Sequence, residues 1–177
     1  MRLQLIFVVE SNSKSKTDWI YIKETLDRYY NYQNSNIKLS QVYMGGKGNY
    51  RRKEAEVKQL ISKFNITTIS DCKNVVFYCF DCDDYEKNPN QSNFLHEVQD
   101  FCGEREYEYI WFCHDIEEVY CGNCIPDNQK NMAANEFKKK RRIVSIEETN
   151  LSQNHYKSHT SNLMNVVDKY LDRKSGV

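Results

Sequence analysis

Val75-Val76-Phe77-Tyr78-Cys79-Phe80-Asp81-Cys82-Asp83-Asp84 is the stretch whose reading decides the fold. Its first six residues are apolar, aromatic or thiol-bearing, the composition of a strand covered on both faces. It then breaks into three carboxylates within four positions, which places them at the carboxyl end of that strand. In an open parallel sheet this is the edge where ligands bind, because crevices form where successive crossovers leave in opposite directions.

Working outward, Leu3 to Val9 is a second apolar, β-branched run, and it too ends on a carboxylate, Glu10. After the polar loop Ser11 to Thr17, residues Trp19, Ile22, Leu26 and Tyr29 or Tyr30 recur at helical spacing. Ser15 and Thr17 are candidate caps, and Asp18 sits in the favourable first turn. Ile37 to Met44 reads as a strand ending in Gly45-Gly46-Lys47-Gly48-Asn49, followed by a helix with Val57, Leu60, Ile61 and Phe64 on one face. Ile66 to Ile69 reads as a short connector into the central strand. Asn88-Pro89 opens a third helix carrying Leu95, Val98 and Phe101, with Gly103 as its expected C-cap. Tyr107 to Cys113 is a fourth strand, ending in His114-Asp115.

Strands alternating with helices predict an α/β fold: a Rossmann-like, mainly parallel sheet of about four strands flanked by helices. We expect one domain over 1–177, with the α/β core at 3–115 and a loop plus C-terminal helical extension over 116–177. In that extension Tyr120 to Asn128 reads as irregular and Asn131 to Arg142 as a polar helix. Leu163, Val166, Val167, Tyr170 and Leu171 have the spacing of a final helix.

The chain has 177 residues, enough for one sizeable core, and 25 Lys plus Arg balance 25 Asp plus Glu. Net charge therefore argues for no particular partner, and the placement of charge decides. No apolar run approaches the ~18 residues of a membrane span. The start, Met1 to Glu10, has an apolar core too short for a signal peptide and reads as a strand. Seven cysteines, an odd number, several of them inside strands, favour a reduced cytoplasmic setting with unligated thiols.

In a parallel sheet Glu10, Gly45-Gly46, Asp81, Asp83, Asp84 and Asp115 all lie at the carboxyl edge. Carboxylates held together repel one another, and a hard divalent cation such as Mg²⁺ or Mn²⁺ relieves that repulsion. The chemistry such a site serves best is phosphoryl transfer. The plain alternative is that loops after strands are acidic because they are solvated.

A strand ending in Glu, a second ending in Gly and a third ending in Asp-x-Asp, each followed by a helix, resembles the Toprim domain. That domain is shared by bacterial primases, topoisomerases, OLD-type nucleases, ribosomal-RNA maturation nucleases and RloB-like proteins. The resemblance covers roughly residues 3–115. It implies that Glu10 is the general acid or base with some metal contact, that Asp81 and Asp83 hold Mg²⁺, and that Gly45 or Gly46 is the glycine after the second strand. Asp84 and Asp115 are further candidate ligands. Two departures stand out: Ser11-Asn12 follows Glu10 where the family usually has Gly, and the loop to the first helix is longer and rich in Lys. By resemblance, the implied function is a metal-dependent nuclease or related phosphodiester-processing enzyme, set in defence against phage or mobile DNA and in some relatives working with a partner ATPase.

Three other patterns bear on partners and metals. Lys14 and Lys16, Arg51 and Arg52, and the run Lys138, Lys139, Lys140, Arg141 and Arg142 offer a phosphate-binding rim, or else ordinary solvated faces. Cys79/Cys82 and Cys121/Cys124 form two Cys-x₂-Cys pairs, of which Cys121/Cys124 is the better candidate for structural zinc. Trp19 and Trp111 read as packing residues. The alternative to an enzyme is a non-catalytic Rossmann-like module that binds a protein or nucleic acid through its basic rim or last helix.

Overall fold

The computed structural model describes residues 1–67 and 71–176. The elements run β1 (Arg2–Val9), α1 (Thr17–Tyr29), β2 (Ile37–Tyr43), α2 (Tyr50–Thr67), β3 (Cys72–Asp81), α3 (Pro89–Glu104), β4 (Glu108–Cys113), α4 (Ile116–Cys121), α5 (Asp127–Lys139), β5 (Thr160–Ser161) and α6 (Leu163–Val167). One five-stranded sheet has the order β2-β1-β3-β4-β5, with β1 to β4 parallel and β5 antiparallel at the edge. The α/β class and the parallel core are those the sequence predicts.

Strand β3 is central for the reason its composition gives. Residues Val75 to Phe80 are buried and alternate between two cores. Val75, Phe77 and Cys79 pack with Phe7, Ile110 and Phe112 under α1, α4, α5 and α6. Val76, Tyr78 and Phe80 pack with Ile6, Val8 and Trp111 under α2 and α3. With period-2 alternation both faces of a central parallel strand are apolar, so the run looks continuous in sequence. Trp111 is buried and Trp19 rests on Phe7, ring centroids 5.5 Å apart, both as packing residues.

β1 runs through α1 to β2 on one side and β3 through α3 to β4 on the other, with α1 and α3 on opposite faces, so the chain leaves β1 and β3 in opposite directions and the crevice opens between the carboxyl ends of these two neighbours.

Several local expectations change. Helix α1 starts after Lys16, which adopts a left-handed φ of 54°, and no side chain caps it. Helix α3 runs past Gly103 to Glu104, and Asn88 caps its start by accepting from the amides of Asn90 and Gln91. Ile66 and Thr67 belong to α2; the rest of the expected connector, 68–69, lies outside the described residues. Part of the supposed irregular segment is α4, and α5 stops at Lys139.

The C-terminal region is less helical than its spacing predicts. Helix α6 has only five residues, and 3-10 turns and β5 make up much of the remainder. The cause lies in the tail's partners: Asn31 donates to the Asp172 carbonyl and Lys174 to that of Tyr29, and Arg173 bridges Tyr30, drawing the chain out beside α1. Just before α6, Asn162 accepts from the Trp111 amide and donates to the Tyr109 carbonyl, satisfying β4 where β5 has ended.

Candidate functional site

At the β1/β3 crevice, Glu10 Oε1 accepts a hydrogen bond from the Asp81 amide at 2.9 Å. Asp81 Oδ1 in turn accepts from the Ile116 amide at the start of α4, 3.0 Å away. Asp18, in the first turn of α1, accepts from the Ser11 amide and the Thr17 hydroxyl, closing the loop after β1 onto the same space. From the far side, α4 contributes Glu117 and α5 contributes Lys130. These side chains, with Gly45 and Gly46, line a cavity of about 350 Å³.

Glu117 is only 1% exposed, and neither carboxylate oxygen makes a hydrogen bond among the described residues. The Lys130 ammonium stands 3.1 Å from Glu117 Oε2, 3.8 Å from Asp115 Oδ2 and 3.7 Å from Asp127 Oδ1. Lys130 is thus the cation around which the acidic wall is arranged.

Electrostatics follow from that crowding. Burial raises Glu10 to about 8, assisted by the charges of Asp18 and Asp83 and opposed by the Asp81 amide and by Lys47. Burial, then Glu10, Asp18 and Glu117, hold Asp81 well above the usual carboxylate range. Burial raises Asp18 against its hydrogen bonds from Ser11 and Thr17. Glu117 is pushed up to about 7 by burial, against the pull of Lys130. For Lys130, burial works against its charge, but Glu117 and Asp115 outweigh it and the ammonium is held protonated. The site therefore retains protons that solvated carboxylates lose.

The structure divides the acidic residues nominated from the sequence. Glu10 and Asp81 come together as expected. Asp83, with a left-handed φ of 48°, turns aside and pairs with Lys47, whose ammonium also reaches Gln91. Asp84 is an exposed turn residue beside Asn88. Asp115 is the N-cap of α4, its Oδ1 accepting from the Glu118 amide at 2.7 Å, with Oδ2 directed toward Lys130.

Asp18, Lys47, Glu117 and Lys130 went unnominated. In the sequence Asp18 reads only as a residue of a helix's first turn, and no motif or spacing marks Glu117 or Lys130. Gly45-Gly46-Lys47 was the one available signal for Lys47.

The cations divide as well. Arg51 lies over the rings of Tyr50 and Phe101, and Lys140 pairs with Glu136. Lys14, Lys16 and Arg52 are exposed. Lys138, Lys139, Arg141 and Arg142 are exposed too, and among the described residues they make no ion pair.

For the cysteines, Cys79 and Cys82 belong to cores on opposite faces of the sheet, so the two Cys-x₂-Cys pairs do not form one tetrahedral site. Cys121 contacts the Tyr21 hydroxyl and Cys124 is exposed; all seven thiols are free. Cys113 is buried, and the His114 imidazole just past β4 stands 3.1 Å from Glu118 Oε2.

A divalent cation fits this cleft chemically: the donors are hard carboxylate oxygens, and Glu117 is a buried carboxylate lacking hydrogen bonds. As they stand, no three His, Cys, Asp or Glu side chains among the described residues converge as a metal site. No helix among them is long and apolar enough to cross a membrane. The sequence matches no protein-family model, no curated protein and no solved structure.

Proposed function

We propose that the chain is a metal-dependent phosphodiester-processing enzyme, a nuclease that works at the Glu10/Asp81 cleft. The observation that carries this reading is the junction of Glu10 and Asp81 on adjacent parallel strands, facing across one cavity the buried carboxylate of Glu117, which has an ion pair with Lys130 and no hydrogen bond among the described residues. The Toprim resemblance, with its implied place in defence against phage or mobile DNA, belongs to the same proposal.

Asp81 and Glu117 would hold Mg²⁺ or Mn²⁺, which supplies charge stabilisation for the oxygens of a phosphodiester, with Glu10 beside them. Glu10 retains a proton near neutral pH and is placed to deliver it to a leaving oxygen. Asp18 and the Ser11 amide fix the loop that carries Glu10 to its place. Lys47, held at the rim by Asp83 and Gln91, offers its ammonium to a phosphate. The exposed cations of the α5 end and the β1 loop supply sequence-independent affinity for the polyanion.

The test is cleavage of labelled DNA and RNA oligonucleotides with Mg²⁺ or Mn²⁺, comparing the wild type with Asp81→Asn and Glu10→Gln. Activity should fall by at least ~10²-fold in each variant, the scale of a lost proton-transfer or metal-holding group, while melting stays cooperative. Retained cleavage by Asp81→Asn would sink the proposal.

A further inference from the structure

We propose that Lys130 is an internal counter-ion occupying the cation position of the cleft, and that a divalent metal enters by displacing it. This inference rests on the metal reading above.

Three observations lead to it. The carboxylates of Asp115, Glu117 and Asp127 are spread around the Lys130 ammonium at 3.1 to 3.8 Å. Glu117, almost wholly buried and lining the cavity, has no hydrogen bond among the described residues to compensate its desolvation, so the ammonium 3.1 Å away is its principal counter-charge. Among the described residues no three carboxylates converge as a metal requires. An ammonium is satisfied by oxygens at about 3 Å, whereas Mg²⁺ draws its ligands to about 2.1 Å. A wall built around lysine is therefore too open for a metal until the lysine leaves.

Lys130 has a route out. Its side chain is 26% exposed, and it stands in the first turn of α5, next to the cavity mouth formed by Asp127 and Asn131. Swung outward, the ammonium faces the opening through which an anionic substrate arrives. The charge removed from the carboxylates is then available to the phosphate, and the incoming metal compensates its departure. Metal and lysine compete for the Glu117 carboxylate, so the apparent metal affinity of the wild type is lowered by the free energy of displacing Lys130.

The test uses the full chain stripped with EDTA and titrated with MnCl₂, read by calorimetry and by thermal melting. Lys130→Met keeps length and apolar stem but removes the charge. Its half-saturation should fall at least tenfold below that of the wild type, while its melting temperature without metal drops because Glu117 loses its counter-ion. Lys130→Arg keeps the charge and should stay near the wild-type midpoint. Adding Glu117→Gln to Lys130→Met should abolish the gain.

Equal midpoints for wild type and Lys130→Met would overturn the displacement proposal and leave the metal reading standing. Absence of Mn²⁺ binding by either at millimolar concentration would overturn both. Binding by Lys130→Met alone would support displacement in its strongest form. Should Lys130→Met fail to fold, Lys130→Gln takes its place with the same expected order of midpoints.

Discussion

The Glu10 carboxylate accepts the Asp81 backbone amide at 2.9 Å, tying the carboxyl end of β1 to that of β3. A glutamine at position 10 keeps an acceptor for that amide but removes the ionisable group. Glu10 in the folded chain titrates at about 8, against 4.5 when solvated, chiefly because of burial. The folded state therefore binds the proton more tightly than the unfolded state. The stability contributed by protonated Glu10 is full below about pH 4.5 and is lost as pH rises toward 8. Glu10→Gln should melt like the wild type at pH 4.5 and exceed it at pH 8, by on the order of 1–2 kcal/mol after allowance for solvent screening. Melting curves across that range check the sign.

Phe137 anchors α5 two turns beyond Lys130. It is fully buried, with its ring edge-on to Tyr21 at 5.0 Å and to Tyr120 at 5.5 Å. Truncation to alanine leaves a cavity in the wall that carries Lys130. Phe137→Ala should cost about 3–5 kcal/mol in urea denaturation. Amide exchange should quicken in α5 before it does in β3.

Asn162 substitutes for a strand along β4 through its bonds to Trp111 and Tyr109. Alanine at this position leaves an amide and a carbonyl unpaired at a half-buried edge. A loss of about 1–3 kcal/mol is expected, with faster exchange of the Trp111 amide as the local signature.

Lys138, Lys139, Arg141 and Arg142, at and just beyond the end of α5, are exposed and have no ion-pair partner among the described residues. Replacing all four with alanine should weaken binding of a fluorescent oligonucleotide and flatten its dependence on log salt by up to ~0.7–0.9 per lost phosphate contact. Arg51→Ala should instead lower stability more than affinity, because its guanidinium is stacked on Tyr50 and Phe101. An unchanged salt slope for the fourfold variant would remove the α5 end from the binding surface.

The parallel core was legible because β1, β3 and β4 are short apolar runs that end in polar residues, and because burial on both faces leaves no other pattern for such strands. Glu10 and Asp81 were legible as strand ends. The remainder of the cleft was not, for reasons visible in particular residues. Glu117 belongs to a two-turn helix whose inward face depends on Asp115 capping it, and Lys130 reaches the cleft only because Ala134 and Phe137 seat α5 on α1. These are long-range packing outcomes with no local periodicity to announce them. Asp83 shows the converse: its neighbour Asp81 faces the cavity, yet a left-handed turn at Asp83 itself sends its carboxylate to Lys47. In the tail, Leu163 to Leu171 kept helical spacing while hydrogen bonds to Tyr29 and Asn31 drew the last part into extended chain.

Asn162 and the two residues of β5 also determine how this molecule meets others. Between them they occupy the β4 side of the sheet, which leaves β2 as the border with backbone groups open to a neighbour among the described strands. A strand donated by another chain, in assembly or in aggregation, has its natural place along Ile37–Tyr43. Exposed Lys38 stands there as the charge that discourages unplanned pairing.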